Sequence, residues 1–433
     1  MTRNIFLSFL GTRKYTPCNY RYKNGQKIDN VKFVQTALTL IFGGDFTDKD
    51  KAVIFLTQQA KETNWTKLRE EVGKRNPTFT LTPVSIPEGH TEEEIWAIFE
   101  IVYSQLQDKD HVILDVTHAF RSIPMLGIVL LNYAKFLKDI HVDGIYYGAF
   151  EVLGRPDEVS TLPMEQRNAP IFNLTAFDQL QQWSAGADSF VSGGNPKKIA
   201  YLLRQWAKPL LSESKGENSL AQTTRNLASN LEKSYNQLST VRGKEIHEGK
   251  SFRNAYREIQ ELTRSTPIPA LPPLLQRLQE KFTGFLQNEC LNGLKGARLC
   301  LDFQLVQQGI TLLQETIVTH LAEITPKLNH LDKQHRELVS SALHIYVQSI
   351  PESQWNETAC RNKALVLKIL NCPKTRILGP LYRNLSKLRN DINHGGYIQP
   401  TKAERFEKQL SQYLDEAEAI LAPESDSAEG NLP

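Results

Sequence analysis

Long apolar runs, paired cysteines and a strong charge of either sign are what this 433-residue chain lacks. The longest apolar segment, residues 123–137, is interrupted by Pro124, Asn132 and Lys135. The opening run, residues 5–10, is too short for a signal core or a membrane span. No membrane domain is expected. The five cysteines, Cys18, Cys290, Cys300, Cys360 and Cys372, form no Cys-x2-Cys pair. An odd count without framework spacing argues against a disulfide scaffold and for a reduced, cytoplasmic compartment. A formal net charge of +3 excludes strong nonspecific nucleic-acid binding through bulk charge, while leaving room for a local basic patch. Neither a Gly-x-Gly-x-x-Gly fingerprint nor a Walker A sequence occurs, which argues against an ordinary NAD or ATP site.

What is present is an ordinary globular composition, 40% hydrophobic and 23% charged, enough for a core that needs no staples. The length suggests two or three domains. Short apolar runs at residues 4–10, 52–57, 78–85, 111–116 and 142–152 predict strands, and 171–174 predicts a last strand or hairpin. Amphipathic stretches at 31–42, 58–72, 91–107 and 123–138 predict helices between them. Thr91 followed by Glu92, Glu93 and Glu94 is a helix start with acids in the first turn. Strands alternating with helices imply a parallel sheet covered on both faces, which is why VIFLT and VILDV read as continuous apolar runs.

From about residue 195 the strand signals stop. Leu299, Phe303, Val306, Ile310, Leu313 and Ile317 predict one face of a single long helix, and Leu381, Leu385, Leu388 and Ile392 repeat the spacing. The expected fold class is thus an α/β N-terminal domain followed by a mostly α-helical C-terminal domain. The main boundary is placed near residue 192, at SGGNP, and a lesser one at the proline-rich TPIPALPP that begins at residue 266. The polar, acidic end, residues 423–433, is expected to be disordered.

In a doubly wound sheet, ligands bind beyond the carboxyl ends of the strands. Three loops qualify: Gly11-Thr12-Arg13-Lys14, Thr57-Gln58, and the run Asp115-Val116-Thr117-His118-Ala119-Phe120-Arg121. Hydroxyls, small residues, two arginines and helix N-termini suit a phosphate-bearing ligand. Taken singly, each has a plainer explanation as a turn, a helix cap or a surface histidine.

The motifs FLGTRKY, DVTHAFR and IFNLTAF, in this order, resemble the CARF domain of CRISPR-associated proteins of the DxTHG group. Asp115, Thr117 and His118 match that motif, with Ala119 where the family has glycine. The resemblance implies a Rossmann-like domain, residues 1–192, that binds cyclic oligoadenylate, tetra- or hexa-, across a dimer. Its candidate contacts are Gly11, Thr12, Arg13, Thr57, Gln58, Asp115, Thr117, His118 and Arg121. Asp115 is expected to hold the loop, and Thr117, His118 and Arg121 to meet phosphate or ribose.

In the second half, LYRNLSKLRNDINHGG carries Arg389-x4-His394 on an amphipathic helix stopped by Gly395-Gly396. The bare spacing is weak, since Arg242 to His247 repeats it; that copy contains Gly243, lacks periodicity and is assigned to the surface. Residues five apart on a helix diverge by about 140°, so Arg389 and His394 do not share a narrow face and a second copy would complete the site. The segment resembles the HEPN ribonuclease motif, implying a ribonuclease domain at 271–422 joined through a helical connector at 193–270.

Together the halves resemble a CARF–HEPN endoribonuclease of type III CRISPR systems. That implies a homodimer, activated by cyclic oligoadenylate, that cleaves single-stranded RNA without metal or other cofactor and leaves a 2′,3′-cyclic phosphate. In the chemistry so implied, Arg389 braces the phosphate, His394 moves a proton, and Asn390 positions a phosphate or orients His394. Arg383 and Asn384 are candidate RNA contacts. Two alternatives stand beside this: a non-catalytic sensor whose helical half only dimerises or binds a partner, and a CARF site that also degrades its activator. No metal site is expected, and His330 and His335 are assigned to a solvated helix face.

Overall fold

The computed structural model describes residues 2–75, 77–118, 123–266, 270–397 and 400–421. Two compact units result, residues 1–179 and 180–433. The division falls inside the helix Thr175–Gly193 rather than at residue 192, where the expected SGGNP break forms the turn before the helix Lys197–Glu213.

The first unit is built on an eight-stranded sheet of order β3-β2-β8-β7-β6-β1-β4-β5. Its strands are β1 Asn4–Leu10, β2 Cys18–Arg21, β3 Lys27–Val31, β4 Lys51–Leu56, β5 Thr80–Ser85, β6 His111–Asp115, β7 His141–Gly148 and β8 Asn168–Asn173. The run β7-β6-β1-β4-β5 is wholly parallel, whereas β8 is antiparallel to β7 and β3 to β2. Apolar layers cover both faces. One includes Phe6, Ile54 and Leu68, the other Leu7, Val53, Ile98 and Leu131. Burial on both faces explains the unbroken apolar stretches of β1, β4 and β6. The outer edges differ in character. Pro83 sits within β5, and β3 carries Lys27 and Asp29, ion-paired at 3.0 Å.

The hairpin β2–β3 was not expected from the sequence. Its strands are short, and β3 bears charged residues and Asn30 in the left-handed region, so no alternation of apolar and polar residues marks it.

The second unit is helical among its described residues and shares one core. That core draws on Phe190, Leu231, Phe252, Ile310, Leu343, Leu385 and Leu414, so the expected connector 193–270 and the expected ribonuclease portion 271–422 pack as one body. The single long helix expected across 299–317 is two helices, Asn292–Asp302 and Val306–Ile324. The chain turns between them at Gln304, whose φ is 59°. The apolar spacing survives the break because Phe303, at the turn, still points into the core. The expected disordered end lies outside the described residues. Among the described residues no helix is long and apolar enough to cross a membrane.

Gly249 joins the helices Gly243–Glu248 and Lys250–Ser265 with φ 66°. A Cβ there would lie 2.4 Å from the Leu286 carbonyl oxygen and 2.7 Å from Asn292 Nδ2. Gly249→Ala is expected to cost about 2–3 kcal/mol through backbone strain and the clash. Urea unfolding should show a lower midpoint with an unchanged slope.

Candidate functional site

The first candidate site forms where the strand order reverses. After β1 the chain forms the β2–β3 hairpin at the far end of the sheet, then places β4 and β5 on one side of β1 and β6 on the other. The registers Leu10↔Leu56 and Leu7↔Leu114 put the carboxyl ends of β1, β4 and β6 on one edge of the sheet. The loops carrying Gly11, Thr57 and Asp115 therefore leave the same edge, and the gap between β1 and β6 is the crevice of a doubly wound sheet.

Asp115 lies at the bottom of that crevice, fully buried. Ser8 Oγ donates to its Oδ2 at 2.7 Å, while Thr117 donates to Oδ1 from its backbone N–H at 2.9 Å and its hydroxyl at 2.5 Å. Burial raises the Asp115 pKa, and the bonds from Thr117 and Ser8 pull against that rise. Thr117 Oγ1 in turn accepts the Gly148 N–H at 2.8 Å. Asp115 thus holds the loop, and the Thr117 hydroxyl is already engaged on both its donor and acceptor sides.

His118 stands edge-on to Tyr15, ring centres 4.6 Å apart, and its Nε2 is buried without a hydrogen-bond partner. Burial lowers its pKa to about 4. Tyr15 accepts the Gly11 N–H at 2.8 Å, and burial pushes its own hydroxyl pKa well up. Gly11 has to be small, because a Cβ would approach that hydroxyl to 2.9 Å. Asn64, within a turn of π-helix at Lys61–Trp65, donates to the Gly11 and Arg13 carbonyls, both at 2.9 Å. Such local π geometry is frequent at functional sites. Thr12 is half-exposed and Arg13 exposed. Thr57 is buried and caps the next helix by accepting the Ala60 N–H, and Gln58 donates to Glu62 at 2.6 Å. Arg121 and Ala119 lie outside the described residues.

The structure therefore brings Gly11, Asp115, Thr117 and His118 together and assigns Thr57 to helix capping. The sequence reading missed Ser8, Asn64 and Gly148, and quoted Tyr15 in FLGTRKY without giving it a role. Asn64 had no signal beyond being polar within a helix.

The second candidate site is the end of the helix Pro373–Asn393. His394 follows as its C-terminal cap, its N–H bonded to the Asn390 carbonyl at 2.9 Å. Gly395 and Gly396 follow with φ of 68° and 65°, which stops the helix as expected. Arg389 is half-buried, its Nε buried without a hydrogen-bond partner. Arg383, Lys387, Asn390 and His394 are all exposed and recur at helical spacing, so they form one outward stripe. Lys387 was not anticipated; Asn384 is half-buried beside the stripe. Arg389 and His394 do not share a face, as their spacing requires.

A third cluster corrects two expectations. His247, assigned to the surface, has a side chain only 12% exposed and lies 3.6 Å from Glu323. His330 lies 3.4 Å from the same carboxylate oxygen. His330 is in the loop before the helix Lys333–Gln348, not on a solvated helix face with His335, whose Nδ1 accepts the Asn329 N–H at 3.0 Å.

The class of molecule is now defined: a doubly wound α/β unit with a crevice at its switch point, followed by a helical unit bearing an exposed Arg-x4-His end. Residues 179–287 match a family model described as the second domain of CRISPR-associated protein MJ1674. The curated CRISPR-associated protein MJ1674 of Methanocaldococcus jannaschii is 31% identical over 125 residues, which is 28% of this chain and 18% of the relative's length. Among solved structures, Enterococcus italicus Csm6 bound to cyclic hexa-2′-fluoro-hexa-dAMP aligns over 97% of this chain and 93% of its own, at 11% identity and a TM-score of 0.43. The resemblance to CRISPR-associated proteins that the motifs carry is thus matched by kinship in the helical half.

The His118 titration gives a prediction. Its folded pKa of about 4 lies below the ordinary 6.5, so the unfolded chain binds more protons between those values. Stability from this group is complete above pH 6.5 and is lost as pH falls toward 4. His118→Gln should lose less stability than the parent between pH 7 and pH 5, read from urea midpoints at each pH. Parallel profiles would contradict a neutral, buried imidazole.

Proposed function

We propose that the chain is a cyclic-oligoadenylate-activated endoribonuclease of type III CRISPR defence, with the CARF–HEPN arrangement that its motifs resemble. The observation that carries the reading is the helix end 389–394. It presents an exposed imidazole, an exposed amide and a guanidinium with an uncommitted buried nitrogen, beside the cationic stripe of Arg383 and Lys387. The kinship of residues 179–287 with CRISPR-associated proteins supports the biological setting.

In this reading the RNA backbone lies along Arg383, Lys387 and Asn390, with Asn384 beside them. The 2′-hydroxyl next to the scissile phosphate attacks it, leaving a 2′,3′-cyclic phosphate and a 5′-hydroxyl. His394 transfers the proton, Arg389 from the same or a second protomer stabilises the phosphorane-like charge, and no metal or other cofactor is needed. Because Arg389 and His394 diverge on the helix, two copies make the complete site. An exposed apolar face on the helix Ile123–Lys138, formed by Met125, Val129, Tyr133 and Phe136, supports pairing.

The activator sits over the β1–β6 crevice. Thr12, Arg13, Gln58 and His118 contact it from the described residues, and Arg121 is assigned with them. Thr117, already bonded on both sides, shapes the loop with Asp115, and Thr57 holds the neighbouring helix start. Ligand binding then favours the protomer arrangement in which the helix ends are competent.

The test is cleavage of single-stranded RNA in EDTA, with and without cyclic tetra- or hexaadenylate. Arg389→Ala and His394→Ala should each lower the activated rate by at least about 100-fold. Persistent cleavage in both variants would remove the ribonuclease assignment and leave the sensor reading. Gly11→Val and His118→Ala should raise the activator concentration needed for half-maximal cleavage and leave the rate at saturation within about twofold. Recovery of labelled activator as linear products would add degradation of the signal.

A further inference from the structure

His247, Glu323 and His330 come from three separate pieces of the second unit. These are the short helix Gly243–Glu248, the last turn of the helix Val306–Ile324, and the loop that follows it. Their donor atoms all lie within 4.8 Å of one another. His247 Nε2 is 3.6 Å and His330 Nδ1 3.4 Å from Glu323 Oε1, and the two rings are 4.7 Å apart, centre to centre.

Two interpretations of these distances can be separated by magnitude. Hydrogen bonds between imidazole nitrogen and carboxylate oxygen fall near 2.7–3.2 Å. Two ligands on a tetrahedral Zn²⁺, each about 2.0–2.2 Å from the ion, are about 3.3–3.6 Å apart. The two separations from Glu323 fit the edges of a coordination tetrahedron and exceed good hydrogen bonds, and the two imidazole donor atoms lie within 4.8 Å of each other. We therefore propose that His247, Glu323 and His330 bind a divalent zinc-like cation, through two imidazoles and one carboxylate.

The surroundings hold the three side chains in place. Arg336 donates to the His330 carbonyl at 3.0 Å, to Thr319 Oγ1 at 2.9 Å and to Glu315 Oε2 at 2.6 Å, fastening the His330 loop to the helix that carries Glu323. His335 closes the same loop through Asn329. On the other side, Asn292 donates to the His247 carbonyl at 2.8 Å and the Leu286 carbonyl at 2.7 Å. The donor set of two nitrogens and one oxygen suits Zn²⁺ rather than Mg²⁺ or Ca²⁺, which take oxygen ligands.

Three protein ligands leave a fourth position for water or an anion. The site borders a cavity of about 520 Å³ whose lining includes Arg242, Lys244, Cys290 and Arg336. Arg336 is paired with Glu315 of the same lining at 2.6 Å, which leaves Arg242 and Lys244 to favour an anionic fourth ligand. The cluster does not involve Arg389 or His394, and the inference does not rest on the ribonuclease reading.

The test is Zn²⁺ titration of the EDTA-treated, dialysed full chain in competition with a chromophoric chelator, followed by Co²⁺ substitution. One equivalent of Zn²⁺ should bind, and Co²⁺ should give the strong visible absorption of a tetrahedral site. His330→Ala and Glu323→Gln should weaken Zn²⁺ at least about tenfold, a loss at least as large as that seen on removing an outer-shell partner. His335→Ala should not weaken it. Circular dichroism checks that each variant is folded, and Glu323→Gln preserves side-chain shape if the alanine variant is not. Failure of the parent chain to bind a stoichiometric ion, or binding unchanged in folded His330→Ala and Glu323→Gln, overturns the site.

Discussion

The fully buried carboxyl group of Asp115 is held by three donors that converge on it. Ser8 from β1 supplies one, and Thr117 supplies the backbone and hydroxyl donors. An unpaired polar group at this depth would cost about 1–3 kcal/mol, and more if charged. Through Thr117 the network also reaches the end of β7 at Gly148. One buried acid thereby ties the carboxyl ends of β1, β6 and β7. The crevice inherits its shape from that knot, because Gly11 and His118 both extend from the strands it joins.

The helical unit solves a different problem. Its polar residues of interest lie on the exposed face of one helix, at helix ends and in loops, and the packed core aims them. Leu385 and Leu388 are buried while Arg383, Lys387, Asn390 and His394 face outward from the same helix. The core contacts of that helix thus dictate which side chains remain available to solvent. Gly395 and Gly396 end the helix at once, so His394 caps it instead of extending it.

Much of the first unit was legible because burial on both faces of a parallel sheet leaves a strong apolar signature. β1 and the helix Ile123–Lys138 fall where their sequence runs end, and Thr91 caps its helix through Glu94 N–H as its pattern indicates. The β2–β3 hairpin was illegible because paired edges with charged residues carry no comparable period. The break at Gln304 was hidden since apolar spacing records which residues face the core, not whether the backbone between them is continuous. Within the candidate sites, Asp115 could be read because its motif is contiguous. The His247–Glu323–His330 group could not, since its members are contiguous only after folding, and His247 looked like half of a chance Arg-x4-His match.

The sheet edges have a consequence for how copies of this chain can meet. Pro83 removes one amide donor from the outermost parallel strand, and Lys27 and Asp29 place opposite charges along the other edge. Neither border offers the uninterrupted row of hydrogen-bonding groups that strand-to-strand joining demands. Growth into an open fibre through the sheet is thereby discouraged. In the proposed dimer, pairing would fall instead to a side-chain surface such as the one bearing Phe136, where a two-fold arrangement closes on itself.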